Sequence, residues 1–167
     1  MKDNKNSLFV NYDHKHYIYS DIEKINPEKD MQPQLHGVLE TCIYVSDLER
    51  TKQFYRDILG IQVHSELEGR HVFFKTGSSM LMSFIAEESR RGKTLPPHGA
   101  DGDMHLALKI KREDLDAWKD HLSRNRITIE SEYAWGDRGV SLYFRDPDNN
   151  LVELVNPEIW GIVVTEG

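Results

Sequence analysis

Glu40, His105 and Glu153 are the residues of this chain whose types and setting suit a shared metal ion. Each stands in a segment of alternating apolar and polar residues, and the segments occur twice. Glu40-Thr41-Cys42-Ile43-Tyr44-Val45, followed by a helical stretch from Asp47 to Tyr55, is matched by His105-Leu106-Ala107-Leu108-Lys109-Ile110, followed by one from Glu113 to Leu122. Val72-Phe73-Phe74-Lys75 with Leu81-Met82-Ser83-Phe84 is matched at the same spacing by Leu142-Tyr143-Phe144-Arg145 with Leu151-Val152-Glu153-Leu154. Aligned in this way, Glu40 falls on His105 and Ser83 on Glu153. Two carboxylates and an imidazole offer hard and borderline donors without thiolate, a set suited to Mn, Fe(II), Co, Ni or Zn. Three protein ligands leave positions open for water or substrate, as in a catalytic centre. Taken singly, a strand histidine, a strand-start glutamate and a solvated glutamate are ordinary residues. Their equivalent placement in two repeats is what joins them.

The elements that must position these side chains follow from period and punctuation. Alternation turns Thr41, Ile43 and Val45 to one face of a strand and Glu40, Cys42 and Tyr44 to the other. Ser46 or Asp47 caps a helix with an apolar stripe of Leu48, Phe54, Tyr55 and Ile58, which stops before Gly60. Strands are expected over 62–67, 71–75 and 80–85, with a hairpin turn at Thr76-Gly77-Ser78-Ser79. Residues 86–103, with Pro96-Pro97-His98-Gly99, read as a linker. The second unit repeats the order: strand 105–110, helix 113–123, strand 127–132, strand 141–145, turn 146–150 and strand 151–155. Leu106, Leu108 and Ile110 then pack on the helix, as do Val152 and Leu154, leaving His105 and Glu153 on the opposite face. An ionised carboxylate on such a face is costly unless it is paired or bound to a metal.

The chain has 167 residues and a net charge of −7, with no basic stripe, which argues against a nucleic-acid partner. Its one cysteine, Cys42, excludes an intrachain disulfide. No apolar run has the ~20 residues that span a bilayer. The N-terminus lacks the cationic and apolar segments of a secretory signal, so the cytoplasm is the expected location. Residues 1–37 form a polar extension, 38–88 and 103–157 the two modules, and 158–167 a tail. No nucleophile elbow, phosphate-cradling glycine loop or dinucleotide fingerprint occurs.

Leu39-Glu40-Thr41-Cys42-Ile43-Tyr44-Val45-Ser46-Asp47-Leu48 with Phe54-Tyr55 and Leu59-Gly60, and the run from Leu142 to Leu154 with Asp146-Pro147-Asp148-Asn149-Asn150, resemble the vicinal oxygen chelate superfamily. That group includes glyoxalase I, fosfomycin-resistance thiol transferases, extradiol dioxygenases and bleomycin-resistance binding proteins. The resemblance spans roughly residues 38 to 157. It implies an α+β fold of two βαβββ modules forming an open, cup-shaped mixed sheet with helices on the outer face. The family's first-strand ligand falls on Glu40, its second-module histidine on His105 and its terminal glutamate on Glu153. The fourth ligand of glyoxalase I falls on Ser83, a poor ligand that cannot serve as a carboxylate base.

The expected function is therefore that of a divalent-metal-dependent, glyoxalase-like enzyme whose small substrate chelates through adjacent oxygens. Lyase or isomerase, thiol-transferase and dioxygenase chemistry all remain open. The alternative is a non-catalytic binding protein holding a planar ligand, for which Trp118, Trp135 and Tyr143 supply aromatic surface. His98, Phe73, Tyr143, Arg138 and Ser83 are candidate substrate contacts, each with an ordinary loop or core role as its competitor. The expected partners are a small molecule and a second copy of the chain in a homodimer, not a membrane.

Overall fold

The computed structural model describes Leu35 and residues 37–92 and 96–161; apart from Leu35 and Gly37, the N-terminal extension lies outside these, as do residues 162–167 of the tail. The first βαβββ module comprises β1 (Glu40–Val45), α1 (Leu48–Gln53), β2 (Gln62–Leu67), β3 (His71–Thr76) and β4 (Ser79–Ile85). A short helix, α2 (Ala86–Arg90), follows. The second module comprises β5 (His105–Lys109), α3 (Leu115–Arg124), β6 (Ser131–Ala134), β7 (Val140–Arg145) and β8 (Leu151–Val155). The sheets have the orders β1-β4-β3-β2 and β5-β8-β7-β6. In each, the first strand runs parallel to the last and the other neighbours are antiparallel, so both sheets are mixed and open, with β1 and β5 at their edges. No helix among the described residues is long and apolar enough to cross a membrane.

The expected alternation is what builds the core. Ile43, Val45, Val72, Phe74 and Leu81 of the first sheet join Leu106, Leu142, Phe144, Val152 and Leu154 of the second in one buried cluster. Asp47 caps α1 by accepting the Arg50 N–H at 3.0 Å. The helix then widens over Phe54–Ile58, where the Leu59 N–H reaches back five residues to the Phe54 carbonyl at 3.1 Å. This wide turn lets the neighbouring Phe54 and Tyr55 both enter the core.

A buried carboxylate links the modules. Asp146 Oδ1 accepts the backbone N–H groups of Asp148 (2.9 Å) and Asn150 (2.8 Å), closing the β7–β8 turn. Its Oδ2 accepts the Tyr55 hydroxyl from the other module at 3.0 Å and the Asn150 amide at 2.9 Å. The next acid of the turn, Asp148, accepts the Ser46 N–H at 2.8 Å and the Ser46 hydroxyl at 2.5 Å, and pairs with Arg50 at 3.2 Å. One five-residue turn thus grips the start of the opposite helix. Burial, then the Asp146 charge, pushes the Tyr55 phenol well above its usual value, so it remains a donor.

Three expectations need correction. The strand expected over 127–132 begins at Ser131, because Ile127 and Ile129 dock their side chains on the core before pairing with β7 starts. The segment read as linker holds α2, stapled by Arg91 to Glu87 and Glu88. Ser83 does not face the cleft: it is fully buried on the core side of β4, and its hydroxyl has no partner among the described residues.

Two substitutions test this packing. Tyr55→Phe should lower the free energy of unfolding by roughly 1.5–3 kcal/mol in urea titrations, since it removes a hydrogen bond to a buried charge. A loss below about 0.5 kcal/mol would show that the clamp carries no weight. Ser83→Ala should raise stability by about 1 kcal/mol, because the hydroxyl it deletes is buried unpaired. Destabilisation by Ser83→Ala would mean that the hydroxyl has a partner.

Candidate metal centre

Hydrogen-bonded register sorts the side chains that each sheet turns away from the core. Across the first sheet the rows are Glu40, Met80 and Lys75; then Cys42, Met82 and Phe73; then Tyr44, Phe84 and His71. Across the second they are His105, Leu151 and Arg145; then Ala107, Glu153 and Tyr143; then Lys109, Val155 and Ser141. Glu40 and His105 are equivalent, as the repeat implies, and so are Phe73 and Tyr143. Ser83 is not the counterpart of Glu153; Met82 is. Gly77-Ser78 joins the paired Thr76 and Ser79, whereas Pro147-Asp148-Asn149 joins the paired Asp146 and Asn150. The second hairpin is longer by one residue, which shifts a comparison made by spacing. A thioether thus stands where glyoxalase I would need a carboxylate.

His105 and Glu153 meet within the second module, with Nε2 and Oε2 3.3 Å apart. Glu153 is only 6% exposed, at the centre of its sheet between Ala107 and Tyr143. His105 Nδ1 lies 3.1 Å from the Leu151 carbonyl. A carbonyl only accepts, so Nδ1 carries the proton and donates. In the neutral ring that leaves the Nε2 lone pair facing a carboxylate oxygen, two acceptors at contact distance. A proton or a metal cation between them satisfies both, and a histidine whose other nitrogen donates to a backbone carbonyl is the usual form of a metal-binding imidazole. The donor set therefore fits a divalent metal.

The entry to β5 is held by the same turn that precedes β8. Asn150 Oδ1 accepts the Met104 N–H at 3.0 Å, and Asn149 donates to Asp103 at 2.6 Å. The Tyr143 ring lies 6.4 Å from that of His105. Burial raises the Tyr143 phenol above its usual value, with the Glu153 carboxylate adding to the effect, so it stays protonated at neutral pH.

Glu40 stands exposed at the start of β1. No three His, Cys, Asp or Glu side chains among the described residues converge closely enough to hold an ion, so one chain presents the His105–Glu153 pair and Glu40 apart. Phe73 and His98 lie together on the first module's open face, where His98 Nδ1 meets the Tyr44 hydroxyl at 2.7 Å. Arg138 does not join the pair: it donates to the Ile159 carbonyl at 3.1 Å, tying the β6–β7 connection to the C-terminal turn. Gly139 beside it, at φ +148, has no room for a side chain, since a Cβ would lie 1.9 Å from Asn156 Oδ1. Trp135 donates its indole N–H to Ser141 Oγ at 2.8 Å, and Trp118 packs against the core beside His121. Sequence reasoning put Tyr44 on the open face with Glu40 by strand parity but missed Met82 and Phe84 there.

Comparison with known proteins supports the fold and the family. Metallothiol transferase FosB of Staphylococcus epidermidis is 30% identical over 125 residues, 72% of this chain and 82% of that protein. Glutathione transferase FosA of Serratia marcescens is 28% identical over 121 residues, 72% of this chain and 80% of that one. The crystal structure of lactoylglutathione lyase from Agrobacterium tumefaciens superposes with a TM-score of 0.74 at 34% identity, covering 78% of this chain and all of that one. Residues 37–154, which hold both modules and the Asp146 turn, match one family, and the chain belongs to it: the Glyoxalase/Bleomycin resistance protein/Dioxygenase superfamily.

Proposed function

We propose that this protein is a divalent-metal-dependent enzyme whose metal is held by Glu40, His105 and Glu153, and whose small substrate chelates through adjacent oxygens. The observation that carries this reading is the His105–Glu153 pair, an imidazole Nε2 turned on a buried carboxylate oxygen at 3.3 Å. Relatives named as a metallothiol transferase, a glutathione transferase and a lactoylglutathione lyase support metal-assisted chemistry on a small, oxygen-rich substrate. Mn, Fe, Co, Ni and Zn all suit a carboxylate–imidazole–carboxylate set.

Completion of the site calls for a second copy. Glu40 sits on the edge strand of one sheet and His105 on the edge strand of the other. A groove of about 830 Å³ is lined by residues of both strands, among them Thr41, Leu106, Leu108 and Ile110. A two-fold dimer would bring Glu40 of one subunit to the pair of the other, forming two identical sites.

A bound divalent cation would supply Lewis-acid stabilisation of charge on a chelated oxygen. The chain's own groups set the rest. Two glutamates balance the charge of a divalent ion, so an anionic chelator is not repelled. Met82 offers no base where glyoxalase I has its fourth ligand, which sets this site apart from that enzyme. The protonated Tyr143 phenol, beside Glu153, is positioned to donate a hydrogen bond to a chelated oxygen or to hold the carboxylate in place. A non-catalytic binding module would not need the His105–Glu153 pair.

Protein purified without chelator should carry about one divalent ion per chain, and Glu153→Gln should weaken Mn²⁺ binding by more than the roughly 10- to 100-fold typical of losing an outer-shell partner. Calorimetric or paramagnetic-resonance titration with Mn²⁺ measures this. Unchanged affinity in the variant would remove Glu153 from the centre.

A further inference from the structure

The two open faces have the same backbone but opposite chemistry. The second module's rows carry His105, Arg145, Glu153 and Lys109. On the first module, the rows beyond Glu40 carry Cys42, Met82 and Phe73, then Tyr44, Phe84 and His71, with no fixed charge. Burial, with Arg70 adding to it, holds the His71 imidazole below the usual histidine value, so it is neutral at neutral pH.

The rings of this face are in mutual contact. His71 stacks on Phe73 with centroids 4.0 Å apart, and Phe84 meets the Phe73 ring edge-on at 5.2 Å. His98 reaches in from the segment between the modules and sets its ring edge against Phe84 at 4.8 Å. That segment is tied down at two points. Arg90 pairs with Asp101 at 2.6 Å, and Gly99 lies so close to Arg90 that a Cβ would come within 2.8 Å of its side chain. The Tyr44 hydroxyl then fixes the His98 ring through Nδ1.

From this we infer that the open face of the first module is a recognition wall for a flat aromatic group on the chelating substrate, with Phe73 the first ring it meets. This deepens, and rests on, the metal site proposed above. The wall shares β1 with Glu40, so it stands beside the metal whether the site closes within one chain or between two. Adjacent rows of one face lie about 7 Å apart along a strand. A ring bonded directly to the chelating carbon spans that step and reaches the row of Phe73 and Met82. A longer or fused ring system would reach Tyr44 and His98, whose rings lie against the buried Phe84. Aromatic pairs gain from edge and offset contacts at such spacings, and thioethers such as Met82 also favour ring contacts.

The test compares two 2-hydroxy acids that chelate alike and differ in their substituent: mandelate, with a phenyl ring, and lactate, with a methyl. Each is titrated calorimetrically into the Mn²⁺-loaded protein. Mandelate should bind at least about tenfold more tightly, and the preference should fall to about twofold in Phe73→Leu, whose folding is checked by its thermal transition. Equal affinities in the natural protein would overturn the recognition wall and leave the metal site standing. A preference for mandelate that survives Phe73→Leu would overturn the assignment to this face. If the Mn²⁺-loaded protein binds neither acid, chelation itself fails and the wall falls with it.

Discussion

Asp146 is a buried carboxylate with four hydrogen-bond donors around it, and the rest of the structure depends on keeping all four. Two come from its own turn, which sets the path from β7 into β8 and hence the position of Glu153. A third, the Asn150 amide, belongs to a side chain whose oxygen holds the backbone of Met104, one residue before His105. The fourth is Tyr55, from the opposite module. A charge removed from water is tolerated only when paired or hydrogen-bonded, so the turn, the entry to β5 and the seat of α1 hold one another in place. The run Asp146-Pro147-Asp148-Asn149-Asn150 is therefore structural. It does no chemistry itself, yet it fixes two side chains suited to do so.

The two modules have equivalent open faces that carry different side chains. Where one carries Glu153 the other carries Met82; where one carries Lys109 the other carries Tyr44. A face with a buried carboxylate and an imidazole attracts a cation. A face of contacting rings attracts a flat apolar group. Placed against each other, they would supply the polar and apolar halves of one cleft. Such a division would account for a single proposed ligand, Glu40, at the rim of the first sheet.

Much of this was legible in the sequence because strand parity is local. Ile43 and Val45 had to oppose Glu40 and Tyr44, and burial follows that pattern; Val152 and Leu154 had to oppose Glu153, and the register keeps them apart although Glu153 is buried too. The helix stop at Gly60, which adopts φ +69, was equally local. What escaped depended on contacts far apart in the chain or on the length of one turn. Ser83 was set on Glu153 because spacing cannot show that the second hairpin is one residue longer. Ile127 and Ile129 alternate like a strand but dock on the core. Arg138 stood as a candidate substrate contact, and only folding reveals the Ile159 carbonyl beside it. His105 and Glu153 could be put on one face by parity, but not at 3.3 Å with Nδ1 beside the Leu151 carbonyl.

The central claim is that a metal site is shared between Glu40 of one subunit and the His105–Glu153 pair of another. Metal stoichiometry in mixed dimers tests it most directly. Chains carrying Glu40→Gln and chains carrying Glu153→Gln should each bind little metal alone. Refolded together in equal amounts, random pairing makes half the dimers mixed, each with one intact site, so about a quarter of the natural protein's metal should return. A mixture that stays as empty as its two components, while the natural protein binds metal in full, would contradict a site shared between subunits.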